Sequence, residues 1–250
     1  SATNGGGNVT NLNVKILPEI TSWRGITIGK SYTNCVNMNN EDNAKYYGIS
    51  TNDNEIDPHL MKNNEWGAVA YLTQSSYGRN GKEITVNDNS EYITGDGDYK
   101  GNKNQSTTGN ETGIYDMSGG AWERVAGYVN NGHDNSKTYG QELLNAPEKH
   151  KQVYEAITSG GSITTTGNDS QQMNYERMSG IYGDAVYETS SSHSGYTSWQ
   201  ENSSNCPYMS DLFFVRGGSG LYASSAGMFY FRNANGIEDD YSGFRPVFAI

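Results

Sequence analysis

The sequence predicts an α+β fold with long polar loops, and three observations carry that prediction. Near the C-terminus, Leu212 to Val215, Ala226 to Phe231 and Val247 to Ile250 are apolar and aromatic runs of strand length. In the second run Phe229 and Phe231 fall on one face and Met228 and Tyr230 on the other. Asp57-Pro58-His59 reads as a helix start, with Asp as N-cap and Pro at the first helical position. That helix is expected to run to about Gln74, with Leu60, Trp66, Val69 and Ala70 toward the core. Between these elements lie stretches rich in Gly, Asn, Ser and Thr.

The three C-terminal strands are expected to be neighbours, with Gly217, Gly218 and Gly243 at their edges where a positive φ or a close backbone approach is needed. Residues 1–13 read as a flexible leader and residues 14–250 as a single domain. Val14 to Leu17 alternates like a strand and stops at Pro18. From Glu19 to Met38 the apolar spacing is irregular and predicts no helix. Residues 78–112 read as a polar insertion loop with a hairpin around Ile84 and Tyr92. Asn145 to Thr158 carries a second helix signal, with Val153, Tyr154 and Ile157 on one stripe, and residues 159–171 read as an exposed turn.

Composition excludes several classes. Only 34% of residues are hydrophobic while 19 are Tyr, so the core must be built largely from aromatics. A net charge of −11 argues against nucleic acid or an anionic membrane as partner. No run approaches the roughly eighteen apolar residues that cross a bilayer, and no signal peptide is visible, which reads as a soluble or trimmed form. Cys35 and Cys206 are far apart; a disulfide outside a cell and two buried free thiols are both open.

Little in the chain points to chemistry. His59, His133, His150 and His193 show no metal-ligating spacing, so no metal site is expected from them. Asp96-Gly97-Asp98 starts like a calcium loop, but Lys100 and Thr107 occupy ligand positions and a solvated turn fits better; a structural calcium held by scattered oxygens stays open. Gly217-Gly218-Ser219-Gly220-Leu221 lacks the second glycine of a nucleophile elbow. Trp122 is expected to fill the core, and Glu123 to fix loop backbone amides.

The stretch between the C-terminal strands looks different. Its candidate ligand-contacting residues are Ser219, Leu221, Tyr222, Ser225, Tyr230, Arg232, Asn233, Ala234, Asn235, Ile237, Asp239, Asp240, Tyr241 and Ser242. Tyr supplies stiff amphipathic contact area and Ser, Asn and Gly supply adaptable hydrogen bonds, as in paratopes. Glu238 aside, the stretch holds no Lys, Gln, Glu or Trp. Every candidate residue is reachable from an AAC or AAT codon by replacing adenines alone.

The blocks Phe214-Val215-Arg216-Gly217-Gly218-Ser219, Ala226-Gly227-Met228-Phe229-Tyr230-Phe231 and Gly243-Phe244-Arg245-Pro246-Val247 resemble the variable region of diversity-generating retroelement target proteins. More broadly they are similar to the formylglycine-generating-enzyme, or sulfatase-modifying-factor, branch of the C-type lectin fold. Gly113-Ile114-Tyr115-Asp116-Met117-Ser118-Gly119-Gly120-Ala121-Trp122-Glu123 resembles a family motif, departing at Gly120 where Asn is usual. Met61 to Leu72 resembles a helix of such proteins displayed on Gram-positive gut bacteria. The resemblance implies a C-type lectin fold with a variable region at about 216–245, held by Phe213, Phe229, Phe231, Phe244 and the Gly217-Gly218 turn. It implies a non-enzymatic, extracellular or cell-surface binding protein, an adhesin or receptor whose anchor would be an N-terminal pilin-like or membrane helix. Tyr222, Tyr230, Arg232, Ile237 and Tyr241 are expected to lead the solvent-facing contacts with a protein or glycan ligand. The enzymes of the family use a cysteine pair at positions that fall on Tyr222 and Gly227, so no oxidase activity is expected. A calcium-dependent carbohydrate-binding lectin and an inactive structural member of the family are the alternatives.

Overall fold

The computed structural model describes residues 14–156 and 170–250; the expected leader and most of the expected turn at 159–171 lie outside them. The architecture is mixed α+β. In chain order it contains α1 (Ile28–Val36), α2 (Glu41–Tyr47), β1 (Asp57–Leu60), α3 (Asn63–Gln74), β2 (Trp122–Asn130), α4 (Asn135–Leu144) and β3 (Gln152–Glu155). Then come α5 (Gln171–Arg177), β4 (Ser194–Gly195), β5 (Ser204–Asn205), β6 (Phe213–Arg216), β7 (Phe231–Ala234), β8 (Ser242–Phe244) and β9 (Pro246–Ala249).

Seven strands form one mixed sheet in the order β3-β2-β6-β7-β5-β4, with β8 added beside β2, while β1 and β9 make a separate antiparallel pair. β2 is the spine. Its interior residues are buried, and it pairs antiparallel with β6 and parallel with both β3 and β8. The main core packs Trp66, Tyr154, Phe214, Phe229 and Phe231 against Val125 and Val129. A second cluster joins Ile28, Leu60, Leu143 and Phe213.

Several expectations need correction. Asp57-Pro58 opens a strand, not a helix: Pro58 pairs with Phe248 at the register Asp57↔Ala249 to Leu60↔Pro246. The two-stranded ribbon tolerates a residue that cannot donate. The helix starts at Asn63, where the Glu65 carboxylate accepts from the Lys62 amide at 2.8 Å. Trp66 and Ala70 are buried as expected, and Trp66 Nε1 donates to the Met228 carbonyl at 2.8 Å.

The third C-terminal strand does not join the other two, because β9 pairs with β1 while β6 pairs with β7. Residues 226–230 form a loop with a turn at Met228 and Phe229, and the strand begins only at Phe231. Val14 to Leu17 forms no strand. The expected helix over 145–158 is instead β3, laid parallel on β2 with Tyr154 buried; Ile157 lies outside the described residues. Pro147 ends helical continuation there, and the Val153-Tyr154 pair prefers the pleated surface. The irregular stretch before Met38 contains α1, whose Ile28, Tyr32 and Cys35 share its buried side, with Thr27 capping the Lys30 amide. Residues 78–112 form turns and isolated bridges without the expected hairpin, and they are not outside the core, since Ile84 and Tyr92 are buried. Cys35 and Cys206 are free and buried.

Gly217 and Gly218 have φ of 81° and 76°. A Cβ on Gly218 would lie 2.4 Å from Ala226 Cα, so both the conformation and the close approach require glycine. Gly218→Ala should therefore cost roughly 2–4 kcal/mol, a fall in Tm of about 5–15 °C by calorimetry. Gly180→Ala, where a Cβ meets nothing within 4 Å and φ is negative, should stay within about 0.5 kcal/mol of the parent.

Candidate functional site: an aromatic face at the sheet edge

β2 begins at Trp122 and alternates from there: Glu123 points inward and Trp122 outward. Glu123 is buried and forms an ion pair with Arg245, whose Nε lies 2.8 Å from Glu123 Oε2 and whose second nitrogen bonds Oε1. Its pairing with a guanidinium, not with loop amides, corrects the sequence expectation. Burial lifts the Glu123 carboxyl above its ordinary range, and Arg245 opposes that lift.

Trp122 is only half-buried, so it does not fill the core. Tyr222, from the short kinked 3₁₀ segment Gly220–Ser225, stacks on it with centroids 5.8 Å apart and planes 11° apart. Tyr241 meets the same indole edge-on at 6.1 Å, and the Arg232 guanidinium sits 5.1 Å from its ring centre. Tyr222 is 57% exposed, Leu221 49% and Tyr241 46%, which makes one aromatic and cationic patch open to solvent. Trp122 is the member that composition missed; the signal for it was the in-out alternation with Glu123.

Not all the candidate residues belong to the patch. Ser219, Tyr230 and Ser242 are buried and cannot reach a ligand. Ser219 Oγ caps the Leu221 amide. The Tyr230 hydroxyl lies against Arg232 and Trp122, and burial pushes its pKa up to about 12. Ser225 donates to the Tyr222 carbonyl at 2.9 Å. Asn233, Ala234, Asn235 and Ile237 are half-buried along β7 and the turn after it, where Asn235 Oδ1 accepts from the Ile237 amide. Of the five residues expected to lead on the solvent side, Tyr222, Arg232 and Tyr241 are exposed, Ile237 is half-buried and Tyr230 is buried.

Asp239 holds the loop from inside. Its Oδ2 pairs with Arg124 at 2.9 Å and accepts from Ser242 Oγ, while Oδ1 accepts from the amides of Tyr241 and Ser242 at 2.8 and 2.6 Å. Asp240 next to it is exposed. Beside the Tyr222 turn, Glu83, Gln200, Asn202, Ala223 and Ser224 line a polar cleft of about 570 Å³.

Away from this face, Asp57, His59 and His150 converge across the chain, which their spacing in the sequence did not show. Burial works against charge on both imidazoles; Glu65 nonetheless raises His59 above its ordinary value, whereas His150 stays below its own despite Asp57.

No protein-family model matches the chain, and no curated protein is similar to it.

Asp239→Asn should cost roughly 2–4 kcal/mol, because it removes the carboxylate that pairs directly with the buried Arg124 cation. Asp240→Asn should be within about 0.5 kcal/mol of the parent. Urea unfolding of the two variants checks the contrast. In the same assay Tyr230→Ala should lose roughly 3–5 kcal/mol and Tyr222→Ala less than about 1 kcal/mol.

Proposed function

We propose that the protein is a non-enzymatic ligand-binding protein of the C-type lectin fold, in its formylglycine-generating-enzyme-like branch, whose C-terminal stretch is diversified to change what it binds. The observation that carries the reading is the division of labour around Trp122. Exposed Tyr222, Arg232 and Tyr241 cluster on one side of the chain, while buried Ser219 and Ser242 and half-buried Asp239 hold the backbone from the other. Side chains on such a surface can be exchanged without disturbing what supports them, and Tyr, Trp and Arg are the types that dominate interface energies.

The ligand reading is a protein or glycan surface met outside or at the surface of the cell. Among the described residues no helix is long and apolar enough to cross a membrane. Tyr222 and Gly227 offer no thiolate, so the copper-dependent oxidation of the related enzymes has no donor pair at those positions. The parallel stack of Trp122 and Tyr222 also suits the face of a sugar ring, which keeps a carbohydrate-binding role as the second reading.

A phage library with Leu221, Tyr222, Arg232, Asn233 and Tyr241 randomised together tests the proposal. Most members should fold with Tm within about 5 °C of the parent, and selection on lysozyme and on streptavidin should return different sequences. General unfolding of the library would defeat the reading. A glycan array probed with and without EDTA separates the second reading: calcium-dependent glycan binding lost in Trp122→Ala would favour it.

A further inference from the structure

Asp57 and His59 stand two residues apart on β1, and His150 arrives from the one-turn helix before β3, 93 residues beyond Asp57. A carboxylate oxygen from the first and one imidazole nitrogen from each of the others all lie within 4.8 Å of one another. We propose that these three side chains bind a divalent transition-metal ion of the zinc class, with water completing its shell. Two imidazoles and one carboxylate suit Zn²⁺, Co²⁺ or Ni²⁺; calcium and magnesium take oxygen donors instead.

The surroundings orient both imidazoles. His150 Nε2 faces Asp57 Oδ1 at 2.7 Å, and its Nδ1 faces the Tyr32 hydroxyl at 3.0 Å. His59 Nδ1 faces the Asp57 backbone carbonyl at 2.8 Å, and its Nε2 faces Glu65 Oε1 at 2.8 Å. Each ring thus has one nitrogen on the Asp57 side and the other held by an outer partner. A carboxylate or hydroxyl behind a histidine is the arrangement that fixes a metal-binding imidazole and raises its basicity. Glu65 is itself pinned by the Lys62 amide.

The Asp57 carboxylate is neutralised by Lys149 Nζ at 2.9 Å and hydrogen-bonded to His150 Nε2 at 2.7 Å. Lys149 is 61% exposed and can return to solvent when a doubly charged ion takes its place. The two rings are stacked, with centroids 5.0 Å apart and planes 10° apart. A bound ion lies in the plane of each ring that holds it, so loading turns one ring out of the stack. It also draws the donors in to the roughly 3.3 Å spacing set by bonds of about 2.0 Å. The site bridges β1 to the segment that leads into β3, so occupancy would tie the two-stranded ribbon to the main sheet.

The test is calorimetric titration of tag-free, chelator-treated protein with zinc chloride alone. One equivalent should bind with micromolar Kd, and free zinc at about a hundred times Kd should raise Tm by roughly 5–10 °C. Asp57→Asn and His150→Gln should weaken binding by about 100-fold or more, while His133→Gln, outside the cluster, should leave it unchanged. Lys149→Ala should bind several-fold more tightly, because the competing cation is gone. No uptake at millimolar zinc, or equal uptake by His150→Gln, overturns the assignment. Should that variant fail to fold, the exposed Lys149→Ala decides, and an unchanged affinity there counts against the site.

Discussion

The pairing of Arg124 with Asp239 sets the shape of the face. Arg124 lies on β2, almost wholly removed from water, and a guanidinium cannot shed its charge to escape that environment. It must therefore find an anion and carbonyls, and the loop after β7 supplies both through Asp239 and the Ile237 carbonyl. Once Asp239 is drawn in, its remaining lone pairs collect the amides of Tyr241 and Ser242. The Gly25 amide donates to the Asp239 carbonyl at 2.8 Å, and the Trp122 amide to the Tyr241 carbonyl at 3.0 Å. The result is a loop pinned at several points, from which β8 leaves in register with β2 and Tyr241 stands beside Trp122.

The same device recurs wherever the C-terminal stretch meets the rest of the molecule. Arg216 is fully buried between Trp66 and Phe231; it donates to the carbonyls of Asp184 and Ala185, and burial lowers its pKa to about 10. Arg245 is held by Glu123 and the Tyr115 carbonyl. A chain with so few aliphatic residues does not close its core by oil alone. It uses buried and half-buried cations whose desolvation is tolerable only when each finds its partners, and that requirement fixes position more sharply than apolar contact does. These arginines belong to the frame, although Arg216 opens the stretch that the family resemblance implies is variable.

The frame and the patch were legible in the sequence to different degrees. The burial of Trp66 and the glycine turn at 217–218 followed from residue type and spacing, whereas Phe229 and Phe231 are buried as their residue type suggests but not on the strand their spacing predicted. Strand partners did not follow: Val247 and Phe248 are as apolar as Phe213 and Phe214, yet they pair with Asp57 to Leu60 because β1 lies along that edge. Tyr154 looked helical by period, and only the neighbouring edge of β2 makes it a strand residue. Tyr230 and Tyr222 are the same residue type in the same stretch, and which of them faces water depends on what packs above each. Trp122 joined the exposed aromatic patch for the same reason. The convergence of Asp57, His59 and His150 has no local signature at all, since it exists only once β1 and the turn before β3 are brought together.

What the sequence determined by itself was the class of the fold, its aromatic core, its glycine turns and the unusual composition of the last forty residues, because each is a property of neighbouring residues along the chain. The tertiary structure alone decided which strands meet, which tyrosines are exposed and which polar residues serve as scaffolding. Those depend on contacts between segments far apart in sequence, where the need to satisfy buried charge and backbone hydrogen bonds outweighs any local preference.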